Sequence, residues 1–218
     1  MKVSIERDIE RFIEKYPKFS IVSFDNTNYI KLQGVIDIVD IEGVYWDSYE
    51  ISILLLKQNY PHITPKVFEV TEKIKREDDW HISVDGECCL DILHKMLLLE
   101  NKGIDVISFY QNKIYPFFAN HAYKLKTGEY ANGDYPHQFD GIKYFYENDL
   151  GLKDVNFTIQ LLTSITTNKL PNRNSICLCK QRKYKHCHLP IAEKLMLFGH
   201  KRLLDDLQLF KLESQLLS

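Results

Sequence analysis

Five cysteines in two clusters are the residues of this sequence best suited to chemistry. Cys88 and Cys89 lie side by side in the stretch WHISVDGECCLDIL, and three more occur from Cys177 to Cys187. An exposed thiol can act as a nucleophile, and thiols at short spacing can bind a metal ion. Such clustering is typical of reactive or metal-binding thiols in a reducing cytoplasm rather than of a secreted disulfide framework.

The two adjacent thiols are predicted to differ in exposure. A free cysteine is most often a small core residue, so packing of both is one interpretation. Asp85, Gly86 and Glu87 precede the pair and place it at a polar turn. Adjacent side chains of an extended segment point to opposite faces. We therefore expect Cys88 to be packed and Cys89 to be exposed.

The second cluster lies in the stretch CLCKQRKYKHCH near the end of the sequence. Cys177, Cys179, Cys187 and His188 supply four ligands, which is the number that tetrahedral zinc takes. The stretch resembles the zinc knuckle at the end of the SecA translocase, although the Gly-Ser-Gly turn of that knuckle is missing. The segment is also locally basic, which indicates either a solvated face or contact with nucleic acid or an acidic partner.

The elements that must position these residues follow from periodicity. Apolar residues recur at helical spacing over 4–16, and Ser4 is available as a cap. Three strand-like stretches follow and predict an antiparallel meander of three or four strands. Further helices are expected at 105–124 with a kink at Pro116, after Asp154, and from about Pro190 onward.

Composition excludes some classes of protein. The chain has 218 residues, 27% of them charged, and a net charge of -2, so the molecule as a whole is not a polyanion binder. Nucleic acid is therefore an unlikely partner. The apolar runs are too short to span a bilayer, and the charged N-terminus lacks the apolar region of a signal peptide. We expect a cytoplasmic protein with no membrane partner.

The residues around the cysteine pair resemble the ubiquitin-conjugating enzymes, over roughly residues 4–125. The matching positions are a Tyr-Pro turn and the active-site string Gly-x-x-Cys-Leu-Asp, here Tyr60, Pro61, Pro65, Gly86, Cys89, Leu90 and Asp91. The resemblance implies an α+β fold with an N-terminal helix, a meander sheet, an active-site segment and C-terminal helices. The change of sequence character near Pro171 separates this domain, residues 1–170, from residues 171–218, a segment like a zinc knuckle followed by a helix. The resemblance also implies that Cys89 is the thioester cysteine.

The sequence departs from the family at the oxyanion position. His81, Ile82 and Ser83 stand where the family has His-Pro-Asn, so the usual asparagine donor is absent. Ser83 is one candidate replacement. The loop that begins at Gly128 resembles a motif of bacterial relatives and offers three more candidates to orient the amine or to replace the asparagine, namely Glu129, Asn132 and His137.

Two functions are consistent with this resemblance. The first is a bacterial transferase of antiphage operons that carries the C-terminal glycine of a donor on Cys89 and passes it to an amine. The resemblance implies a ubiquitin-like protein or a cGAS-like nucleotidyltransferase as the donor, an activating enzyme if the operon has one, and structural zinc in the tail but no cofactor for the transfer. The alternative is an inactive binding module of the same fold.

Overall fold

The computed structural model describes residues 4–24, 28–131 and 138–216, which form a mixed α+β protein. The strands and helices are arranged along the chain in the order helix, sheet, helices. The strands are β1 Phe19–Phe24, β2 Tyr29–Val39, β3 Tyr45–Leu56 and β4 Lys66–Glu69. The helices are α1 Ile5–Lys15, α2 Leu93–Lys102, α3 Val106–Phe109, α4 Tyr115–Thr127, α5 Gln138–Tyr144, α6 Val155–Thr166, α7 Leu189–Met196 and α8 His200–Leu216.

The four strands form one antiparallel sheet in the order β1-β2-β3-β4. In β2, buried residues alternate with more exposed ones over the whole strand, as expected for a sheet with one covered face. The α+β class and the antiparallel meander are therefore confirmed.

The first of two compact units comprises residues 1–92 and 99–137. Its core lies between the covered face of the sheet and the helices, where α4 contacts both β2 and β3 and α1 contacts α3. Aromatic rings fill much of this space: Tyr49 packs against Phe118, and Phe12 packs against Phe19 and Tyr110. These large buried rings fix the helices against the sheet.

The second unit comprises residues 93–98 and 138–218, and α6 and α8 form its main helix pair. Its centre holds a buried polar group: Asp206 accepts hydrogen bonds from His94 at 2.7 Å, from Tyr146 at 2.8 Å and from Arg202. The predicted boundary at residue 170 was based on sequence character and stays a prediction. In the structure α6 and α8, which lie on either side of that residue, contact each other.

Two predicted helices are interrupted. Between α3 and α4 the chain makes a π-helical turn, Tyr110–Ile114, and Pro116, which has no N–H to donate, lies directly after it in the first turn of α4. Gly199, with φ of 83°, separates α7 from α8. The start of α6 is as predicted, because the Asp154 side chain accepts a hydrogen bond from the Phe157 N–H.

In the part of the chain that the structure describes, none of the helices combines the length and the apolar character needed to cross a bilayer.

Candidate functional site

Residues 81–89 form a tight β-hairpin that carries both adjacent thiols, called here the cysteine hairpin. Its two arms are joined by backbone hydrogen bonds, from the Cys89 N–H to the His81 carbonyl at 2.8 Å and from the Ser83 N–H to the Glu87 carbonyl at 3.0 Å. The second arm also pairs with β4, because the Cys88 N–H donates to the Val67 carbonyl at 2.8 Å. The hairpin therefore extends the sheet beyond β4.

A glycine is required at the turn of this hairpin. Gly86 has φ of 90°, and a Cβ atom at this position would lie 2.8 Å from the Arg76 guanidinium and 2.8 Å from the Glu69 carbonyl oxygen. Arg76 is fixed in place because it forms an ion pair with the buried carboxylate of Glu69 at 2.9 Å. The Glu69 carboxylate also accepts a hydrogen bond from Thr71. This buried cluster supports the hairpin from behind.

The two thiols point to opposite sides of the hairpin arm, so the predicted difference between them is confirmed. Cys88 is buried and Cys89 is exposed. Burial strongly raises the pKa of the Cys88 thiol. The Cys89 sulfur is partly shielded from water although the residue is exposed, and this shielding raises its pKa. The carboxylates of Asp91 and Glu87 raise it further.

A small cavity of about 50 Å³ lies next to the segment that follows Cys89, although Cys89 itself does not line it. His81, the backbone partner of Cys89, lines it together with the two residues that follow the thiol. The other lining residues come from the π-helical turn, from α4 and from the loop after α4, and are Asn112, Lys113, Pro116, Phe117, Asn120, His121 and Tyr130. This volume has room for a few water-sized groups. The cavity therefore suits a small polar group, such as an amine, more than a whole side chain.

An ion pair fixes one wall of this cavity. Asp91 pairs with Lys113, and both side chains are mostly buried. The other carboxylate oxygen of Asp91 accepts a hydrogen bond from the Ile92 N–H at 2.7 Å. The ion pair connects the segment after Cys89 to the π-helical turn, so it holds the thiol at a fixed position relative to the helix.

His121 forms the opposite wall and is almost fully buried. Its Nδ1 lies 2.8 Å from the Phe117 carbonyl, and its Nε2 lies 2.9 Å from the Trp80 carbonyl and 3.2 Å from the Tyr130 hydroxyl. Burial lowers the pKa of His121, so the ring is neutral at physiological pH. A neutral ring carries a single N–H, so it can donate to only one of the two carbonyls, that of Phe117 or that of Trp80.

Sequence reasoning did not single out Asn120 or His121. Both are buried polar residues on a helix whose neighbouring positions, Phe117 and Phe118, are apolar. A polar pair inside an apolar helical pattern is the feature of the sequence that could have drawn attention to them. Tertiary packing brings them to the same cavity as Leu90 and Asp91, and periodicity does not predict such packing.

Of the four auxiliary residues predicted from sequence, Ser83 and Glu129 lie in the part of the chain that the structure describes. The Ser83 hydroxyl is bonded within its own turn, where it donates to Asp85 and accepts from the Glu87 N–H at 2.9 Å. Glu129 is exposed, and its N–H faces the Thr127 hydroxyl at 3.4 Å. Neither Ser83 nor Glu129 lines the cavity. Asn132 and His137 lie outside the described residues, so the roles of all four stay predictions.

The predicted ligands of the tail are brought together in the structure. The ligand atoms of Cys177, Cys179, Cys187 and His188 all lie within 4.8 Å of one another. The Cys179 and Cys187 sulfurs are 3.4 Å apart, and the His188 Nδ1 is 3.3 Å from the sulfurs of Cys177 and Cys187. A tetrahedral ion with metal–sulfur bonds of about 2.3 Å requires sulfur–sulfur distances close to these. The cluster can therefore hold a metal ion.

Local structure explains how the ligands converge. A short hairpin pairs the Cys177 N–H with the Arg182 carbonyl at 2.9 Å, which places the first two cysteines on one turn. His188 immediately precedes α7, and the Phe157 ring of α6 packs against its imidazole with the centroids 4.5 Å apart. Burial lowers the pKa of His188, so the ring is in the neutral form that binds metals.

No family model matches this chain, and the searches of curated proteins and of solved structures find no match either.

Proposed function

We propose that this protein is a ubiquitin-conjugating-like transferase of the cytoplasm, in which Cys89 carries the C-terminal glycine of a donor protein as a thioester and passes it to an amine. The observation that carries the proposal is the cysteine hairpin, which buries Cys88 and exposes Cys89. The two residues that follow Cys89, Leu90 and Asp91, line a small cavity. The elements before and after the hairpin are a helix, a meander sheet and further helices. This is the order that the resemblance of the sequence to the ubiquitin-conjugating enzymes implies.

The proposed reaction has two acyl-transfer steps. First, the Cys89 sulfur attacks the activated carbonyl carbon of the donor, the donor's bond to its previous carrier breaks, and Cys89 gives up its proton. Then an amine attacks the thioester carbonyl, the carbon–sulfur bond breaks, and the thiolate takes up a proton. Because the pKa of Cys89 is raised, the thiol is mostly protonated at neutral pH and the first step needs a base from solvent or from the partner.

A hydrogen-bond donor is needed for the oxygen that becomes negative in each step. The family's asparagine is absent from the motif, and Asn120 is buried and lines the cavity together with Leu90 and Asp91, the residues that follow Cys89. We take Asn120 as the leading candidate donor from the described residues, alongside the predicted Ser83. Glu129, whose carboxylate accepts hydrogen bonds, remains a candidate to orient the amine. Asn132 and His137 remain candidates on sequence grounds.

The Cys/His cluster is proposed to hold one structural zinc ion. Three thiolates and one neutral imidazole suit zinc by softness and by number. The ion would stabilise the tail, and it has no part in acyl transfer. A setting in bacterial antiphage defence, with a ubiquitin-like protein or a cGAS-like nucleotidyltransferase as the donor, is proposed on the resemblance of the sequence alone.

Covalent charging tests the main proposal. The purified protein is mixed with a ubiquitin-like donor whose C-terminal glycine is activated as a thioester, and the adduct is measured by intact mass. We expect an adduct that hydroxylamine or excess thiol removes, that is lost in Cys89→Ala and that persists in Cys88→Ala. An adduct lost in Cys88→Ala but kept in Cys89→Ala would reject the assignment.

The amide donor is tested in the same assay by separating charging from discharge. Asn120→Asp keeps the side-chain shape but removes the N–H donor. We expect this variant to charge normally and to discharge to lysine at least about tenfold more slowly. This change in rate corresponds to a barrier that is higher by about 1.4 kcal/mol. Ser83→Ala is the comparison variant. A normal rate in Asn120→Asp together with a slow rate in Ser83→Ala would move the role to Ser83.

An inactive binding module is the second candidate. Two observations favour it, the raised pKa of Cys89 and the engagement of the Ser83 hydroxyl inside its own turn. A module would bind the same donor with equal affinity in wild type and in Cys89→Ala, and neither would form an adduct. Calorimetric titration with the unactivated donor, run beside the charging assay, distinguishes the two functions.

A further inference from the structure

The edge of the sheet away from the cysteine hairpin is incompletely paired. Strand β1 pairs with β2 only from Phe24 to Phe19, which lies opposite Gly34. Beyond that point β2 continues to Val39, paired with β3 alone among the described strands. Residues Val35–Val39 therefore have no described strand beside them on this side of β2.

The backbone groups along this edge have a defined direction. The Tyr115 hydroxyl accepts a hydrogen bond from the Val39 N–H and donates to the Val39 carbonyl, both at 3.2 Å. The polar groups of Val39 thus point away from β3. The pairing of β2 with β3 is irregular at this end, because Ile38 lies opposite Asp47 and Val39 lies opposite Tyr45. The unmatched residue is Trp46 on β3, so the backbone groups of β2 still point alternately to its two sides. Hence the N–H and C=O groups of Val35 and Asp37 point to the same open side.

A groove of about 520 Å³ runs along these residues. Val35 and Asp37 form its floor, and Tyr16, Tyr110 and Tyr115 form an aromatic wall. The rings of Tyr16 and Tyr110 are 4.4 Å apart, and those of Tyr110 and Tyr115 are 6.5 Å apart. Tyrosine rings beside unpaired strand edges suit the alternating side chains of an added strand, because they offer both apolar area and hydroxyl groups.

The charge of the groove indicates what kind of strand it would take. Lys15 and Lys18 line it together with Asp37, so two lysines stand against one aspartate and the net charge is positive. Lys18 is paired with Asp37. Lys15 is exposed and lies over the Tyr16 ring, with its nitrogen 5.7 Å from the ring centroid. An acidic side chain on the incoming segment would meet Lys15 at the rim.

We propose that an extended acidic segment of a partner protein binds by adding a short strand beside Val35 and Asp37 of β2, between the end of β1 and the Tyr115 hydroxyl that occupies Val39. Its backbone would pair with Val35 and Asp37, alternate side chains would pack on the three tyrosines, and a carboxylate would meet Lys15. The cysteine hairpin extends the sheet from β4, at the other end of the strand order. A bound segment would therefore leave Cys89 accessible, and the inference does not depend on the proposed function.

Strand addition is tested with a peptide as the probe. Full-length protein is immobilised and a library of random 12-residue peptides is selected against it. The strongest binder is then synthesised in two N-methylated forms, one with methyl groups on the odd-numbered amides and the other with methyl groups on the even-numbered amides. The binding of each form is measured by fluorescence anisotropy. We expect acidic peptides of high strand propensity to be enriched. We also expect one methylated form to lose at least about tenfold in affinity while the other changes about twofold or less, because only every second amide of an added strand faces the edge.

Variants of the protein then locate the site. Lys15→Glu should weaken the acidic binder at least about tenfold, whereas Lys201→Glu, an equally exposed charge reversal on α8, should not change its affinity. Circular dichroism confirms that both variants are folded. The proposal is overturned if no peptide family is enriched, if both methylated forms bind like the parent, or if the two lysine variants behave alike. Those outcomes would mean that Lys18 and Tyr115 serve to protect an edge that binds nothing.

Discussion

Cys89 combines exposure with a raised pKa, and this combination sets how its thiol can react. The thiolate is the nucleophile in acyl transfer and in alkylation, so the thiol reacts in proportion to the ionised fraction. The main cause of the raised pKa is the shielding of the sulfur from water, and the negative charges of Asp91 and Glu87 add to it. Glu87 is the more informative residue to change, because Asp91 also anchors the cavity wall through Lys113.

Removing the Glu87 charge should make Cys89 more reactive at neutral pH. We expect Glu87→Gln to lower the pKa of Cys89 toward the ordinary cysteine value, because the neutral amide no longer opposes formation of the thiolate. The alkylation rate of Cys89 by iodoacetamide, followed by peptide mass from pH 6 to pH 10, should then reach its midpoint at lower pH than in wild type. Glu10→Gln, on the exposed side of α1, is the control. An unchanged midpoint in Glu87→Gln would show that this carboxylate does not influence the thiol.

Sequence reasoning reached the parts of this site that lie within a few residues of one another. The different exposure of Cys88 and Cys89 follows from strand alternation, and the four tail ligands lie within twelve residues. The cavity was not predicted, because Asp91 and His121 are thirty positions apart in the numbering and only the packing of α4 brings them together. Long-range contacts of single side chains leave no periodic pattern in a sequence.

Among the elements, the cysteine hairpin depends most on one backbone conformation. Helices α1 and α6 could be predicted because their signals lie within the helices themselves. The signal is the spacing of apolar residues in α1 and the capping residue Asp154 at the start of α6. The hairpin was predicted only as a polar turn. Its register is set by tertiary structure, through the pairing of Cys88 with β4 and the support of the turn by the Arg76–Glu69 ion pair.

A methyl group at Gly86 should disrupt the hairpin. Gly86→Ala adds a Cβ at 2.8 Å from both Arg76 and the Glu69 carbonyl, in addition to the cost of positive φ for a residue with a side chain. Gly128→Ala is a matched control, because Gly128 has φ of 87° and nothing lies within 4 Å of the added Cβ. We expect the control to lose about 1 kcal/mol of unfolding free energy and Gly86→Ala to lose at least about 1 kcal/mol more in urea titrations. Equal losses of unfolding free energy in the two variants would mean that Arg76 and the Glu69 carbonyl move away from the added methyl group with no measurable loss of stability.

Taken whole, the chain holds two compact units, and the second contains the Cys/His cluster. A metal ion that binds only the folded ligand set stabilises the fold by mass action. In small domains a structural zinc ion contributes on the order of 10 kcal/mol at neutral pH. The stability of the second unit should therefore depend on zinc concentration.

Zinc removal should be visible both in metal content and in thermal unfolding. We expect about one zinc per chain in wild type, and a melting temperature that falls with a chelator and recovers with added zinc. Cys179→Ser should lose the metal and the zinc dependence. Cys88→Ser, which changes a cysteine outside the cluster, should keep both. Elemental analysis with scanning calorimetry measures the two quantities, and metal-free protein with an unchanged melting temperature would contradict the zinc proposal.

The opposed orientation of Cys88 and Cys89 also has a consequence under oxidation. Two neighbouring thiols can close a disulfide only if their Cβ atoms approach each other, and on an extended arm these atoms point apart. A sulfenic acid formed on Cys89 would therefore have no resolving partner at Cys88 without rearrangement of the arm. It would instead be open to capture by a small thiol such as glutathione. Peroxide damage at Cys89 would then be reversible by exchange with thiols from solution, and Cys88 would stay reduced within the core.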